Sequence, residues 1–140
     1  RGLKTVSSFV GSIEDPVNVP IGRYTDKILV NVGQQMDPEL SKLIQSKIVS
    51  RELNVRQVLA KVSLGEADAG IVYRTDAATA ADKVAVVAIP ENVNVIAEYP
   101  IAAAKAAPHA ALARGFVATV LSAEGQDVLK RHGFIPAAPR

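Results

Sequence analysis

The chain has 140 residues, enough for one domain with a substantial core. Its 49% apolar and 21% charged residues are the balance of a soluble globular chain. The formal net charge is +2, with the signs interspersed and no Lys/Arg run, which argues against nucleic acid as a partner. There is no cysteine, which excludes disulfides, thiolate zinc sites and cysteine nucleophiles. His109 and His132 lie far apart in sequence, so no metal site is expected. No apolar run is long enough to span a bilayer, so direct membrane insertion of this chain is not expected. No signal peptide is visible, and the opening "RGLKTVSSF" reads as a start inside a longer protein.

In chain order, "FVGSI" (9–13) predicts a short strand, followed by a loop at "EDPVNV". A helical period runs from Pro20 to Val32, with Tyr24, Ile28, Leu29 and Val32 on one face and Gly33 as its stop. "DPELSKLIQSKIV" (37–49) predicts a second helix. Asp37 is its cap, Pro38 its first residue, and Leu40, Leu43, Ile44 and Ile48 form its stripe. The residues around Ile48 and Val49 fit a strand equally well. "NVRQVLAKVSLG" (54–65) predicts a third helix, with Asn54 and Gln57 spaced as a capping box and Gly65 as the stop.

"ADAGIVY" (67–73) predicts a buried strand, "TDAATAA" a short helical turn, and "KVAVVAI" (83–89) a further strand ended by Pro90. "AEYPIAAA" (97–104) reads as extended. "PHAALARGFVATVLS" (108–122) and "SAEGQDVLKRHGF" (122–134) predict two closing helices, and "IPAAPR" a loose tail. Strands alternating with helices predict an α/β fold with a mainly parallel sheet flanked by helices.

Catalytic signatures are missing. There is no G-x-S-x-G elbow, no Walker loop and no G-x-G-x-x-G, so no enzyme is expected. Binding is better supported. In an open α/β sheet, ligands sit beyond the C-terminal strand ends, where free N–H groups at helix starts favour an anion. Pro20 has no N–H, so the first free donors of its helix belong to Ile21 and Gly22. Gly22 has no side chain to hold a ligand away from the backbone. Asn54-Val55 opens a second such helix, with the Val55 N–H among its unpaired donors. Tyr73 ends "GIVY" and can aim its hydroxyl into the same crevice. Each feature also has a plainer reading, as a helix start, a cap or a packed tyrosine. The residues alone leave both readings open.

Three stretches taken together resemble one family. "DPVNVPIGRY", "NVRQVLAKVSLGEADAGIVYRTDA" and "YPIAAAKAAPHAALARGFVATVLSAEGQDVLKRHGF" are similar, in order, to the periplasmic molybdate-binding proteins of ABC transporters. The middle stretch is the most specific, and the resemblance runs from about Val10 to Ile135. It implies a type II periplasmic-binding-protein fold in which two lobes close on a tetrahedral oxyanion, molybdate or tungstate. That oxyanion is bound as a ligand, with no cofactor. Carried over by position, Ile21 and Val55 are backbone N–H donors and Tyr73 a hydroxyl donor, with Gly22 and Asn54 as additional candidates. The resemblance also implies a membrane permease as partner and a periplasmic or extracytoplasmic location. The sensing domain of a transcription regulator, which shares the fold, is the alternative.

This chain departs from the family in four ways. Ile21 stands where a small residue is usual. Glu14 stands where Gly often precedes Asp-Pro, and a carboxylate there is unfavourable to an anion unless it points away. The segment between the first two donors is longer than in better-known members. The family's N-terminal lobe and its serine ligands have no counterpart. Residues 1–98 therefore read as the second, ligand-binding lobe, and 99–140 as the C-terminal return strand and helices. Such a fragment is expected to bind weakly or not at all by itself. Arg23 and Arg56, beside two of the donors, either raise the local potential or pair with surface acids. The apolar faces holding Phe116, Val117, Val120, Leu121, Val128 and Leu129 need cover, by folding back or through a homodimer or segment swap.

Overall fold

The computed structural model describes residues 11–137. Phe9 and Val10 of the first expected strand lie outside that range, as does the end of the tail. The chain divides into two compact units, one ending at Ala97 and the other beginning at Glu98.

Among its described residues the first unit is built on three parallel strands in the order β2-β1-β3: β1 (Gly11–Glu14), β2 (Ile48–Glu52) and β3 (Ala69–Gly70). Two helices, α1 (Pro20–Gln35) and α2 (Pro38–Ser46), link β1 to β2, and α3 (Val55–Ser63) links β2 to β3. Right-handed crossovers with this strand order put α1 and α2 on one face of the sheet and α3 on the other. The side chains agree. Arg51 of β2 approaches Asp26 of α1 at 4.0 Å, whereas its strand neighbours Ser50 and Glu52 bond Lys61 of α3. Register partners share a face, so Ser12 and Glu14, paired with Ser50 and Glu52, lie on the α3 face.

α1 buries Ile21, Gly22, Thr25, Ile28, Leu29 and Val32. Thr25 takes the buried place that the spacing gave to Tyr24, which is half-buried. Ile28 and Val32 pack with the fully buried Val93, flanked by Leu40, Ile89 and Val95. The Asn31 amide donates to the Val93 carbonyl at 3.1 Å, tying residues 89–95 onto this helix. Gly33 does not stop α1, which continues to Gln35. A Cβ at Gly33 would sit 3.4 Å from that of Ser41, so its place there is explained by the close approach of α2. The Ser41 hydroxyl donates to the Leu29 carbonyl at 2.7 Å and fastens the two helices.

α2 is shorter than its apolar stripe suggested. It ends at Ser46, Ile48 and Val49 belong to β2, and Leu43 is 53% exposed. α3 ends where expected, with Gly65 in the left-handed region at φ +74°. The expected strand 67–73 shrinks to Ala69–Gly70, because only these residues pair with β1. Residues 83–89 form no strand. An apolar run becomes a strand only where a neighbour takes its backbone hydrogen bonds, and among the described residues none does. Val86 and Val87 are exposed accordingly.

The second unit holds α5 (Ala110–Leu121) and α6 (Ala123–Arg131), α4 being the short helix Arg74–Ala77 of the first. Ser122 caps α6 by accepting the Gly125 N–H, and Lys130 and Arg131 occupy its last turn. Tyr99 meets Phe134 edge-on, with ring centroids 6.0 Å apart. No residue of α5 or α6 is buried.

Candidate oxyanion site

Parallel strands align their C-terminal ends at one edge, and every sequence-predicted donor is attached to that edge. β1 ends at Glu14 and leads through a five-residue loop to α1. β2 ends at Glu52 and, after Leu53 and Asn54, opens α3 at Val55. β3 ends at Gly70, and the chain continues to Tyr73, the residue that precedes α4. The topology thus brings the starts of α1 and α3 and the end of the β3 segment to one rim of the sheet.

The β1–α1 loop is organised by Asp15. Its N–H donates to the Glu52 carbonyl at 2.8 Å, and its own carbonyl accepts the Val19 N–H at 2.9 Å. Its carboxylate accepts from the Val17 N–H at 3.2 Å and the Asn18 amide at 2.5 Å. These bonds hold that carboxyl below the usual carboxylate range.

α1 starts with Pro20 at its first position, and Val19 supplies no side-chain cap. The Ile21 N–H has no acceptor among the described residues. Gly22 corrects the sequence expectation in two ways. Its N–H donates to the Val19 carbonyl at 3.0 Å, so that donor is already engaged. The space over its Cα is filled by chain, since a Cβ would come within 2.6 Å of the Pro16 nitrogen. Glycine is required here by the closeness of its own loop.

At α3, the Asn54 Oδ1 accepts the Gln57 N–H at 3.0 Å, and the Gln57 side chain accepts from the Leu53 N–H at 3.2 Å. The capping box therefore closes one residue earlier than the reciprocal pattern. Asn54 is a cap, with its acceptor oxygen used, while the Val55 N–H has no acceptor among the described residues. Tyr73 is half-buried, and its carbonyl accepts the Asp76 and Ala77 N–H groups, each at 3.0 Å.

The charge pattern at these helix starts differs from that at α2 and α6, and α5 shares it. α1 and α3 carry no acidic residue in the first turn, whereas α2 has Glu39 beside the Asp37 cap and α6 has Glu124. Acids at a helix start offset its dipole, so α1 and α3 keep the positive ends that an anion would meet. Among the described residues no cluster of His, Asp and Glu could hold a metal ion, and no helix is long and apolar enough to cross a membrane.

This chain is similar to several known proteins. The molybdate-binding protein ModA of Mycobacterium tuberculosis is 42% identical over 117 residues, covering 84% of this chain and 41% of that protein. A putative ABC transporter substrate-binding lipoprotein of Bacillus subtilis is 31% identical, covering 85% of this chain and 43% of its own length. The solved substrate-binding domain of a putative molybdenum ABC transporter from Clostridium difficile superposes with a TM-score of 0.68 at 27% identity. It covers 92% of this chain and 53% of that one. The chain spans less than half the length of these two curated relatives. The α/β architecture, with a parallel sheet flanked by helices, is that of a periplasmic-binding-protein-like domain. The profile of the bacterial extracellular solute-binding proteins matches residues 9–135, and the chain belongs to that family.

Proposed function

We propose that this chain is the ligand-binding lobe of the solute-binding component of an ABC importer, taking a tetrahedral oxyanion of the molybdate or tungstate type. The observation that carries this reading is the pair of helices α1 and α3. They open from the ends of adjacent parallel strands, with unpaired N–H groups at Ile21 and Val55 and no acid in either first turn. Tyr73 adds a hydroxyl at the same rim. A desolvated dianion needs many hydrogen bonds, and bonds to a charged acceptor are the stronger kind. Neutral donors fixed by backbone geometry keep their protonation state and select on the size of the anion.

The reported relatives are named as a molybdate-binding protein and as substrate-binding proteins of ABC transporters, which favours transport over the regulator alternative and over catalysis. The oxyanion is cargo, handed to a membrane permease outside the cytoplasm. In this reading residues 1–98 hold the ligand and residues 99–140 form the C-terminal return strand and helices. The exposed apolar faces of α5 and α6 favour pairing of two chains or a segment swap.

One lobe supplies part of a cradle, so affinity is expected to be weak, with a Kd on the order of 1 mM. Titration of the isotopically labelled chain with molybdate, followed by amide NMR, tests this. Shifts centred on Ile21, Val55 and Tyr73 are expected. Submicromolar affinity would refute the half-built cradle, and shifts centred away from these amides would overturn the proposed site.

A further inference from the structure

α1 begins without a side chain to hold it. Asp37, Asn54 and Ser122 cap α2, α3 and α6, whereas Val19 gives α1 no side-chain cap. A helix start left this way frays unless something else fixes it. Here the preceding loop does so, and that loop turns on Asp15. The Asp15 N–H donates to the Glu52 carbonyl at 2.8 Å, which carries the β1–β2 pairing past the end of β1. From Glu52 the chain runs through Leu53 and Asn54 to the start of α3 at Val55. In the other direction the Asp15 carbonyl accepts the Val19 N–H at 2.9 Å, and the Val19 carbonyl accepts the Gly22 N–H at 3.0 Å. The Asp15 carboxylate closes the same turn by accepting the Val17 N–H at 3.2 Å and the Asn18 amide at 2.5 Å. The first turn of α1 rests on it, since a Cβ at Gly22 would come within 2.7 Å of the Asp15 carbonyl carbon. One residue is thus bonded both to the strand end that leads into α3 and to the loop that leads into α1.

The two acids at the end of β1 differ. Glu14 is 0% exposed, and burial pushes its carboxyl up to about 7, with its own backbone N–H pulling the other way and Asp76 adding to the rise. Asp15 is half-buried and keeps its charge. A fixed negative charge in the loop that opens α1 is unfavourable to an anion bound there, so on charge alone its removal would tighten binding.

We propose that Asp15 is a positioning residue of the oxyanion site: its carboxylate holds the β1–α1 loop, and so keeps the Ile21 N–H at the start of α1 in a fixed place relative to the Val55 N–H at the start of α3. This rests on the oxyanion reading above. A loop already ordered in the free chain need not be ordered when the anion enters, and that saving outweighs the repulsion of one carboxylate.

The test is an amide-NMR titration of the full chain with molybdate at one neutral pH, for wild type, Asp15→Asn, and Asp15→Asn combined with Asn18→Asp. Asp15→Asn leaves one acceptor oxygen for two donors, so one bond is lost together with the charge. The combined variant exchanges donor and acceptor between the two side chains, restoring both bonds and the wild-type net charge. Asp15→Asn should bind molybdate about tenfold more weakly, and the combined variant should return to within about threefold of wild type. Tighter or unchanged binding in Asp15→Asn, the result of a carboxylate that acts only through its charge or serves only stability, overturns the role of Asp15 and leaves the cradle standing. A combined variant as weak as Asp15→Asn overturns it too. Wild-type shifts centred away from Ile21 and Val55 overturn the cradle and this inference together. Should wild type bind too weakly to titrate, hydrogen exchange of the Gly22 amide decides in the ligand-free chain. It should be at least about fivefold faster in Asp15→Asn and restored in the combined variant, and an unchanged rate refutes the positioning. Should Asp15→Asn fail to fold, Asn18→Ala removes the Asn18 bond with the carboxylate in place. It should bind about threefold more weakly or speed Gly22 exchange to that extent, and no change in either refutes the role.

Discussion

The sheet unit ending at Ala97 and the helical unit beginning at Glu98 use similar local chemistry to different ends. Helices in both are capped by short polar side chains, Asp37 and Asn54 in one and Ser122 in the other. Yet among the described residues all the buried apolar side chains lie in the sheet unit, among them Ile13, Leu29, Val58 and Val93. In the helical unit Leu112 is 73% and Phe116 65% exposed. Capping and periodicity suffice to make a helix. Burying its apolar face needs a second surface, and the sheet provides one for α1 and α3 while α5 and α6 cover little of each other.

The sharpest way to break this comparison is to put a charge into each unit. Val58→Asp places an unpaired carboxylate at a position with no solvent access and should cost more than about 4 kcal/mol, unfolding the sheet unit by circular dichroism. A cooperative native transition in that variant would contradict the packing described. Phe116→Asp, on the exposed face, should change stability by no more than about 0.5 kcal/mol while abolishing any self-association seen by light scattering. A clean wild-type monomer at high concentration would argue against pairing through α5 and α6.

Next in size is the pH dependence of the sheet unit. The folded pKa of Glu14, about 7, lies above its ordinary value of 4.5, so the folded state holds the extra proton. Its contribution is full below about pH 4.5 and is lost as pH rises to about 7, a total on the order of 3 kcal/mol. Glu52, held below the ordinary range by Lys61 and Ser50, works in the opposite direction at the acid end, losing its contribution as pH falls through its lowered value. Denaturant midpoints should therefore peak at mildly acidic pH, and Glu14→Gln should flatten the decline above it. A wild-type midpoint that rises toward neutrality would contradict this. The smallest effect is expected from Asn54→Ala, which removes the α3 cap and should cost about 1 kcal/mol. An unchanged midpoint would mean that the cap adds nothing measurable.

Much of the sheet unit was legible because its signals are local. Asp37 with Pro38, Asn54 with Gln57, and Gly65 mark helix ends through bonds made within a turn. The unexpected positions all depend on neighbours distant in sequence. Gly33 looked like a stop until α2 came within reach of it. "KVAVVAI" had the composition of a strand but finds no pairing partner among the described residues. Gly22 looked like an opening toward a ligand, and is instead where helix and loop touch. At the candidate site, Ile21, Val55 and Tyr73 could be placed at one rim from strand order and helix starts. Glu14 was visible as an oddity next to Asp-Pro. Its complete burial could not be read from sequence, because burial there depends on a register shared with β2 and on α3 packing across that face.

The most direct test of the central claim is the amide spectrum of the chain as molybdate is added near pH 6. The account predicts saturable shifts at Ile21 and Val55, the starts of α1 and α3, with α5 and α6 unmoved. Shifts confined to residues beyond Glu98, or scattered over surface lysines and arginines with no change at Ile21 and Val55, would contradict it.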